Sequence, residues 1–208
     1  VLLWVHSPQL LQGSLGGLYW HAHEMLWGFI ATIAVGFLLT AGANWTGINP
    51  LKGKALGILC LLWVLARLGY LLPGTTAFAL AAGAESLFFL GAAVAMGRAV
   101  YRARSQRNYG VPPLMLALGA ANALFLWAIW QGQDYATLMQ RFDTGLLCMA
   151  LIALLVARRV IPFFATKAIA GLQLPMHVKT GQAQLAVGVL AVLCGVLGWA
   201  LPMAVFLA

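Results

Sequence analysis

Two histidines, a carboxylate and a thioether lie next to one another at the start of a long apolar run. They are His21, His23, Glu24 and Met25, and the run continues to Thr40. The whole sequence has four His and four Asp or Glu residues, so a large share of its ionisable ligand side chains is found at one point of the chain. Neutral imidazole suits iron, copper and zinc, and a neighbouring carboxylate ligates the metal or holds a His tautomer. The cluster therefore indicates a metal site.

The spacing of the two histidines limits how they act together. Successive residues of an α-helix are about 100° apart, so His21 and Glu24 share a face, whereas His23 points about 200° from His21. One regular helix cannot direct both imidazoles at the same metal. Either the first turn is unwound by the preceding Gly16-Gly17 loop, or the two histidines serve different sites. A third reading, in which they are only amphipathic residues at a membrane interface, also stays open.

The composition identifies the class of protein that carries this motif. Hydrophobic residues make up 63% of the chain and charged residues 8%, which leaves too few charges to cover the surface of a soluble domain of 208 residues. Apolar runs of about 20 residues are long enough to cross a ~30 Å hydrocarbon core as helices. We expect an all-α, polytopic transmembrane helix bundle that forms a single transmembrane domain over residues 1–208, in a lipid bilayer.

The apolar runs predict about six full spans, preceded by a helix remnant at Val1–Val5, as in a fragment of a longer membrane protein. The fifth span is expected to end at Arg158-Arg159, with an irregular, interfacial stretch after it. Gly28 and Gly36 on the first span are typical of close helix packing. The predicted spans cover residues 19–40, 55–72, 77–97, from beyond Pro113 to 130, 135–157 and 183–203.

The basic residues indicate the orientation of these spans. The net charge of +8 comes from clusters in alternate connections, at Lys52 and Lys54, at Arg98–Arg107 and at 158–179, whereas the connections at 73–74 and 131–134 have none. This alternation follows the positive-inside rule and predicts that the basic loops are cytoplasmic. The end of the first span that carries the histidines would then be periplasmic. Because the charges mark topology, a nucleic-acid partner is not expected.

Four further ionisable residues lie inside the predicted spans, namely Arg67, Glu85, Arg141 and Asp143. They lie ~8 to 12 Å from the outer ends of their helices, as does Glu24. Each costs ~2.5–3.5 kcal/mol if left alone at the centre of the bilayer, so mutual pairing is expected. Arg67 and Glu85 flank a short hairpin and are within reach of each other. Such a buried charge network either fixes helix register or lines a polar cavity that serves a cofactor or ion.

Several motifs of the chain together resemble the NnrS family. The most specific is Tyr19-Trp20-His21-Ala22-His23-Glu24-Met25, followed by Gly28-Phe29, Gly36-Phe37-Leu38-Leu39-Thr40 and Asn44-Trp45-Thr46-Gly47. A second is Arg158-Arg159-Val160-Ile161-Pro162-Phe163-Phe164, and a weaker third is Trp63 with Arg67. The resemblance covers essentially the whole chain in order and matches about the first half of the family's length.

This resemblance implies a bacterial inner-membrane protein that carries haem and copper and acts in the nitric-oxide stress response. His21 and His23 would be haem or copper ligands with Glu24 beside them, and nitric oxide is a candidate ligand of the bound metal. Further histidines are found in the later half of family members. The residues leave open whether a reaction is catalysed. The alternative function is a proton- or ion-coupled transporter that uses Arg67, Glu85, Arg141 and Asp143, and a third is a structural half whose charges set helix packing.

Overall fold

The computed structural model describes residues 15–169, 172, 178–197 and 199. All regular secondary structure in these residues is helical, which confirms the all-α prediction. A short 3-10 turn at Gln106–Asn108 connects the third helix to the fourth. The helices are α1 (Gly17–Thr46), α2 (Lys54–Leu71), α3 (Thr75–Arg102), α4 (Val111–Trp130), α5 (Tyr135–Ala168) and α6 (Val178–Leu197).

Helices α1 to α5 are each long and apolar enough to cross a membrane, with mean hydropathies between 1.7 and 2.1. The apolar part of α6 within the described residues is shorter and covers Ala183–Leu197. A polytopic membrane bundle is therefore confirmed. The predicted helix remnant at Val1–Val5 lies outside the described residues, as does the end of the sixth predicted span.

Helix α1 is not a regular α-helix along its whole length. It is α-helical over Gly17–His23, π-helical over Glu24–Ala31 and α-helical again over Thr32–Thr46. Within the wider turn, the Thr32 hydroxyl donates a 3.0 Å hydrogen bond to the Trp27 carbonyl, five residues back. A π-turn, bonded from i to i+5, takes up more residues than an α-turn, and such turns are frequent at functional sites.

The π-helical segment keeps one face of α1 turned inward. Across this segment and its flanks, buried side chains follow one another at intervals of four residues, at His23, Trp27, Ala31 and Val35. In a regular α-helix each step of four residues advances about 40° beyond a full turn, so three steps would carry the face about 120° around the axis. The wider turn reduces this drift, and His23 lies on the same buried face as the apolar core residues below it.

The chain divides into two compact units, Val1–Gln133 and Asp134–Ala208. In the first unit, α3 is the central helix and packs against α1, α2 and α4. Small residues allow two of these close approaches, because an added Cβ at Gly69 would lie 2.8 Å from the Ala81 Cβ and one at Gly119 would lie 2.6 Å from the Phe89 Cβ. The expectation of a single domain over residues 1–208 stays a prediction.

In the second unit, α5 packs against α6 and extends further than predicted. The predicted span ends at Arg158-Arg159, but the helix continues to Ala168 with Pro162 inside it. Its 34 residues correspond to ~51 Å at the helical rise, longer than a ~30 Å hydrocarbon core. A basic pair marks where a helix leaves the apolar layer and does not itself end the helix, which is why the predicted boundary was wrong.

Candidate functional site

Four ionisable side chains meet inside the first unit. His23 and Glu24 come from α1, Arg67 from α2 and Glu85 from α3, and we call these four residues the charge cluster. His23 and Glu85 are buried, with exposed side-chain fractions of 0% and 1%, and Glu24 and Arg67 are 16% and 13% exposed. Polar groups at this depth are costly to leave unpaired, so their partners decide what the cluster does.

The two ring nitrogens of His23 face oxygen atoms on three different helices. Its Nδ1 lies 3.2 Å from Glu24 Oε1, and its Nε2 lies 2.9 Å from Glu85 Oε2 and 3.0 Å from the Oδ1 of Asn122 on α4. Aromatic rings surround the imidazole, with centroid distances of 5.0 Å to Tyr70, 5.6 Å to Trp27 and 6.3 Å to Phe125. His23 therefore connects α1 to α3 and α4 within an aromatic enclosure.

Arg67 bridges the two carboxylates of the cluster. Its guanidinium lies 2.9 Å from Glu24 Oε1 and 3.0 Å from Oε2, and its second terminal nitrogen bonds Glu85 Oε1. The Tyr70 hydroxyl donates to Glu85 Oε2 at 2.9 Å. The guanidinium carbon also lies 5.4 Å from the Tyr70 ring and 5.8 Å from the Trp63 ring, within cation–π range. The expected contact of Arg67 with Glu85 is thus present, and Glu24 joins it.

Gly28 provides the space in which Arg67 reaches Glu24. A Cβ at this position would overlap the Arg67 Nη1 and lie 2.6 Å from Glu24 Oε2, closer than real Cβ contacts allow. The Gly28 carbonyl accepts a 3.2 Å hydrogen bond from Trp63 Nε1. Gly36, by contrast, has nothing within 4 Å of an added Cβ, so the packing role predicted for it is wrong within the described residues.

His21 lies on the other side of α1 and is exposed. The first turn of α1 is helical from Gly17 onward, so it is not unwound in the way that would have aimed both imidazoles at one metal. Within the described residues, the two histidines consequently have separate surroundings. His21 is open to groups outside this unit, and His23 is enclosed within it.

The three predicted ligands differ in what they offer a metal. Binding requires a nitrogen lone pair or a carboxylate oxygen that faces the ion. Both nitrogens of His23 and both oxygens of Glu24 already face partners in the charge cluster, whereas the imidazole of His21 is accessible. In the part of the chain that the structure describes, no three His, Cys, Asp or Glu side chains form a group that could hold a metal ion. Of the three predicted ligands, His21 is the one whose side chain is accessible in the described residues.

Sequence reasoning did not find Tyr70 and Asn122. Both lie within apolar spans and are fully buried, and each bonds a member of the charge cluster. Asn122 carried a usable signal, because an amide in the middle of an apolar run needs a hydrogen-bond partner. Tyr70 had no such signal, since tyrosine near the end of a span is ordinary.

The other two predicted network residues, Arg141 and Asp143, belong to the second unit. Arg141 donates a 2.9 Å hydrogen bond to the Val196 carbonyl, and the neighbouring Gln140 donates a 2.8 Å bond to the Gly195 carbonyl. These bonds satisfy carbonyls in the last turn of α6, and a cation there suits the helix dipole. Asp143 is exposed.

Comparison with known proteins gives one clear result. No curated protein and no solved structure matched the chain. A family model described as "NnrS protein" matches residues 1–208, the full length of the sequence. The resemblance first recognised in the motif around His21 and His23 is therefore confirmed, and the chain belongs to the NnrS family.

Proposed function

We propose that this chain is part of a haem- and copper-binding inner-membrane protein that acts in the nitric-oxide response. Membership of the NnrS family over the full sequence supports the nitric-oxide context, and five helices suited to membrane spans support the membrane location. The proposal that the protein binds haem and copper rests on one observation, the exposed imidazole of His21 in the family's most specific motif. Haem iron or copper, when bound, would supply the position at which nitric oxide binds.

In this proposal His21 contributes one imidazole ligand, and the remaining ligands come from outside the described residues. The charge cluster beneath it holds α1 to α2, α3 and α4 through bonds from His23, Glu24 and Arg67. A ligand side chain needs such fixed support, because a displacement of about 1 Å is enough to weaken a metal site. The chain's contribution is thus one accessible ligand on a rigid helix.

Purified protein in detergent tests the ligand assignment. The protein is expected to show a Soret band and bound copper, and His21→Ala is expected to lower one or both. Lys52→Ala, an exposed change at the far end of the first hairpin, serves as the control and should leave both unchanged. A Soret band and copper content that survive His21→Ala intact would remove His21 from the proposal.

We also propose that the His21 end of α1 faces the periplasm, because the exposed basic residues of the described loops lie at the opposite ends of the helices, at Lys52, Lys54 and Arg98–Arg107. A cysteine-free protein carrying Leu18→Cys should react with a membrane-impermeant maleimide in spheroplasts, since Leu18 is 64% exposed. The matched variant Gln106→Cys should react only after lysis. The reverse labelling pattern would invert the topology.

The alternative function, proton- or ion-coupled transport, has one observation in its favour. Ionisable residues within membrane spans often mark ion pathways, and the charge cluster places four of them in contact. Transport would require ion flux in proteoliposomes that Glu85→Gln abolishes, without any need for metal. Flux that is absent from the native protein, together with bound haem or copper, would favour the first proposal.

A further inference from the structure

We infer that His23 is a positioning residue that ties α1 to α3 and α4, and that it is not itself a metal ligand. The inference rests on the proposed function, because it assigns different tasks to the two histidines of one motif. His21 would face the metal, and His23 would fix the helix that carries it.

The first reason is the occupation of the His23 ring. A metal bond replaces a hydrogen bond at one ring nitrogen, and the other nitrogen then donates to a supporting group. Here Nδ1 lies 3.2 Å from a Glu24 oxygen, and Nε2 lies 2.9 Å from a Glu85 oxygen and 3.0 Å from the Asn122 amide oxygen. Neither nitrogen is directed at free space.

The second reason is enclosure. The His23 side chain has no exposed surface, and the rings of Trp27, Tyr70 and Phe125 surround it. Trp27 is itself held in place, because its indole nitrogen donates to the Leu118 carbonyl at 3.3 Å. Haem or copper would have to displace both the aromatic rings and the carboxylates in order to reach the imidazole.

The third reason is the position of His23 in α1. It is the last residue of the α-helical turn and immediately precedes the π-helical segment that starts at Glu24. Bonds from this point to Glu85 on α3 and Asn122 on α4 fix the rotation of the turn. His21, two residues earlier and about 200° around the axis, is thereby directed outward.

The test compares His21→Gln, His23→Gln, Glu85→Gln and the double variant His23→Gln/Glu85→Gln in purified protein. Each is assayed for haem and copper per folded molecule at saturating supply, and for the thermal unfolding temperature in detergent. His21→Gln should lose metal with little change in unfolding temperature. His23→Gln should keep the metal but unfold at a lower temperature, because Glu85 loses a buried donor.

The double variant separates positioning from ligation. Because the two side chains bond each other, the loss of unfolding temperature in the double variant should be smaller than the sum of the losses in His23→Gln and in Glu85→Gln alone. Such coupling measures the bond between His23 and Glu85 and not a bond to metal, so it supports the positioning role.

Two results would overturn the inference. One is a His23→Gln protein that loses its metal while its unfolding temperature is unchanged. The other is a double variant whose loss of unfolding temperature equals the sum of the losses in His23→Gln and Glu85→Gln. If the native protein binds neither haem nor copper, the proposed function fails, whereas the unfolding temperatures of the single and double variants still decide whether His23 is a positioning residue.

Discussion

The two units of the chain place the charges of their apolar helices in different surroundings. In the first unit, His23, Arg67 and two carboxylates contact one another, and Glu85 is almost fully buried. In the second unit, Arg141 bonds a backbone carbonyl at the end of α6, and the nearby Asp143 is exposed. Charged residues at similar positions along their helices should therefore differ in how strongly their replacement destabilises the protein. A side chain that bonds other side chains leaves them without a partner when it is replaced, whereas one that bonds the backbone leaves only a carbonyl.

Glu85→Gln is expected to have the largest effect. The carboxylate accepts from Arg67, Tyr70 and His23, and breaking a buried pair typically costs about 3–5 kcal/mol because the partner is left uncompensated. Equilibrium unfolding in detergent measures the loss. Exposed ion pairs contribute about 0–1 kcal/mol to stability. A loss of unfolding free energy well below about 1 kcal/mol would therefore show that water screens the charge cluster as it screens exposed pairs.

Gly28→Ala tests the same cluster without removing any charge. The added methyl group would overlap the Arg67 guanidinium and the Glu24 carboxylate, and such overpacking costs about 1–3 kcal/mol. Gly36→Ala on the same helix is the matched control, because its added Cβ meets nothing within 4 Å. Since alanine is the better helix former, Gly36→Ala should be neutral or slightly stabilising. Equal losses of unfolding free energy from Gly28→Ala and Gly36→Ala would mean that Gly28 does not act by leaving space for Arg67.

Arg141→Met is expected to have a smaller, local effect in the second unit. It removes one bond to the Val196 carbonyl and a favourable charge near the end of α6, worth about 1 kcal/mol together. Hydrogen exchange should accelerate in the last turn of α6. Faster exchange throughout α5 and α6 would instead indicate that Arg141 supports the whole unit.

Asp143→Asn is expected to have the smallest effect, within about 0.5 kcal/mol, because the side chain is exposed. It is also the direct counterpart of Glu85→Gln, since each replaces a carboxylate by its amide inside an apolar helix. Unfolding of the two variants under the same conditions checks the comparison. A large loss at Asp143 would reveal a partner that the described residues do not supply.

Much of the fold follows from hydropathy alone. The predicted spans at 55–72 and 135–157 correspond to α2 and to the first part of α5, because apolar runs of bilayer length form helices in lipid. Hydropathy does not show whether a helix continues beyond the apolar layer. For that reason α3 extends to Arg102 and α5 to Ala168, past their predicted ends.

The candidate site could be predicted only in part. Charge balance indicated that Arg67 and Glu85 would pair, and the helical angle separated His21 from His23. Glu24 belongs to the charge cluster because of the π-helical segment and because Gly28 has no side chain to fill the space. Neither feature follows from regular helix geometry. The role of Asn122 depends on how α4 packs, which a single sequence without tertiary contacts does not specify.

The π-helical segment at Glu24–Ala31 also bears on how this motif could vary in length among related chains. If the same residues took up ordinary α-helical winding, the segment would complete more of a turn, and everything before it would rotate about the helix axis. His23 would leave its partners, although every residue of the motif would still be present in the sequence. In related proteins, a segment that is one residue shorter should therefore be regularly α-helical, because the histidines and Thr32 then keep their relative orientation.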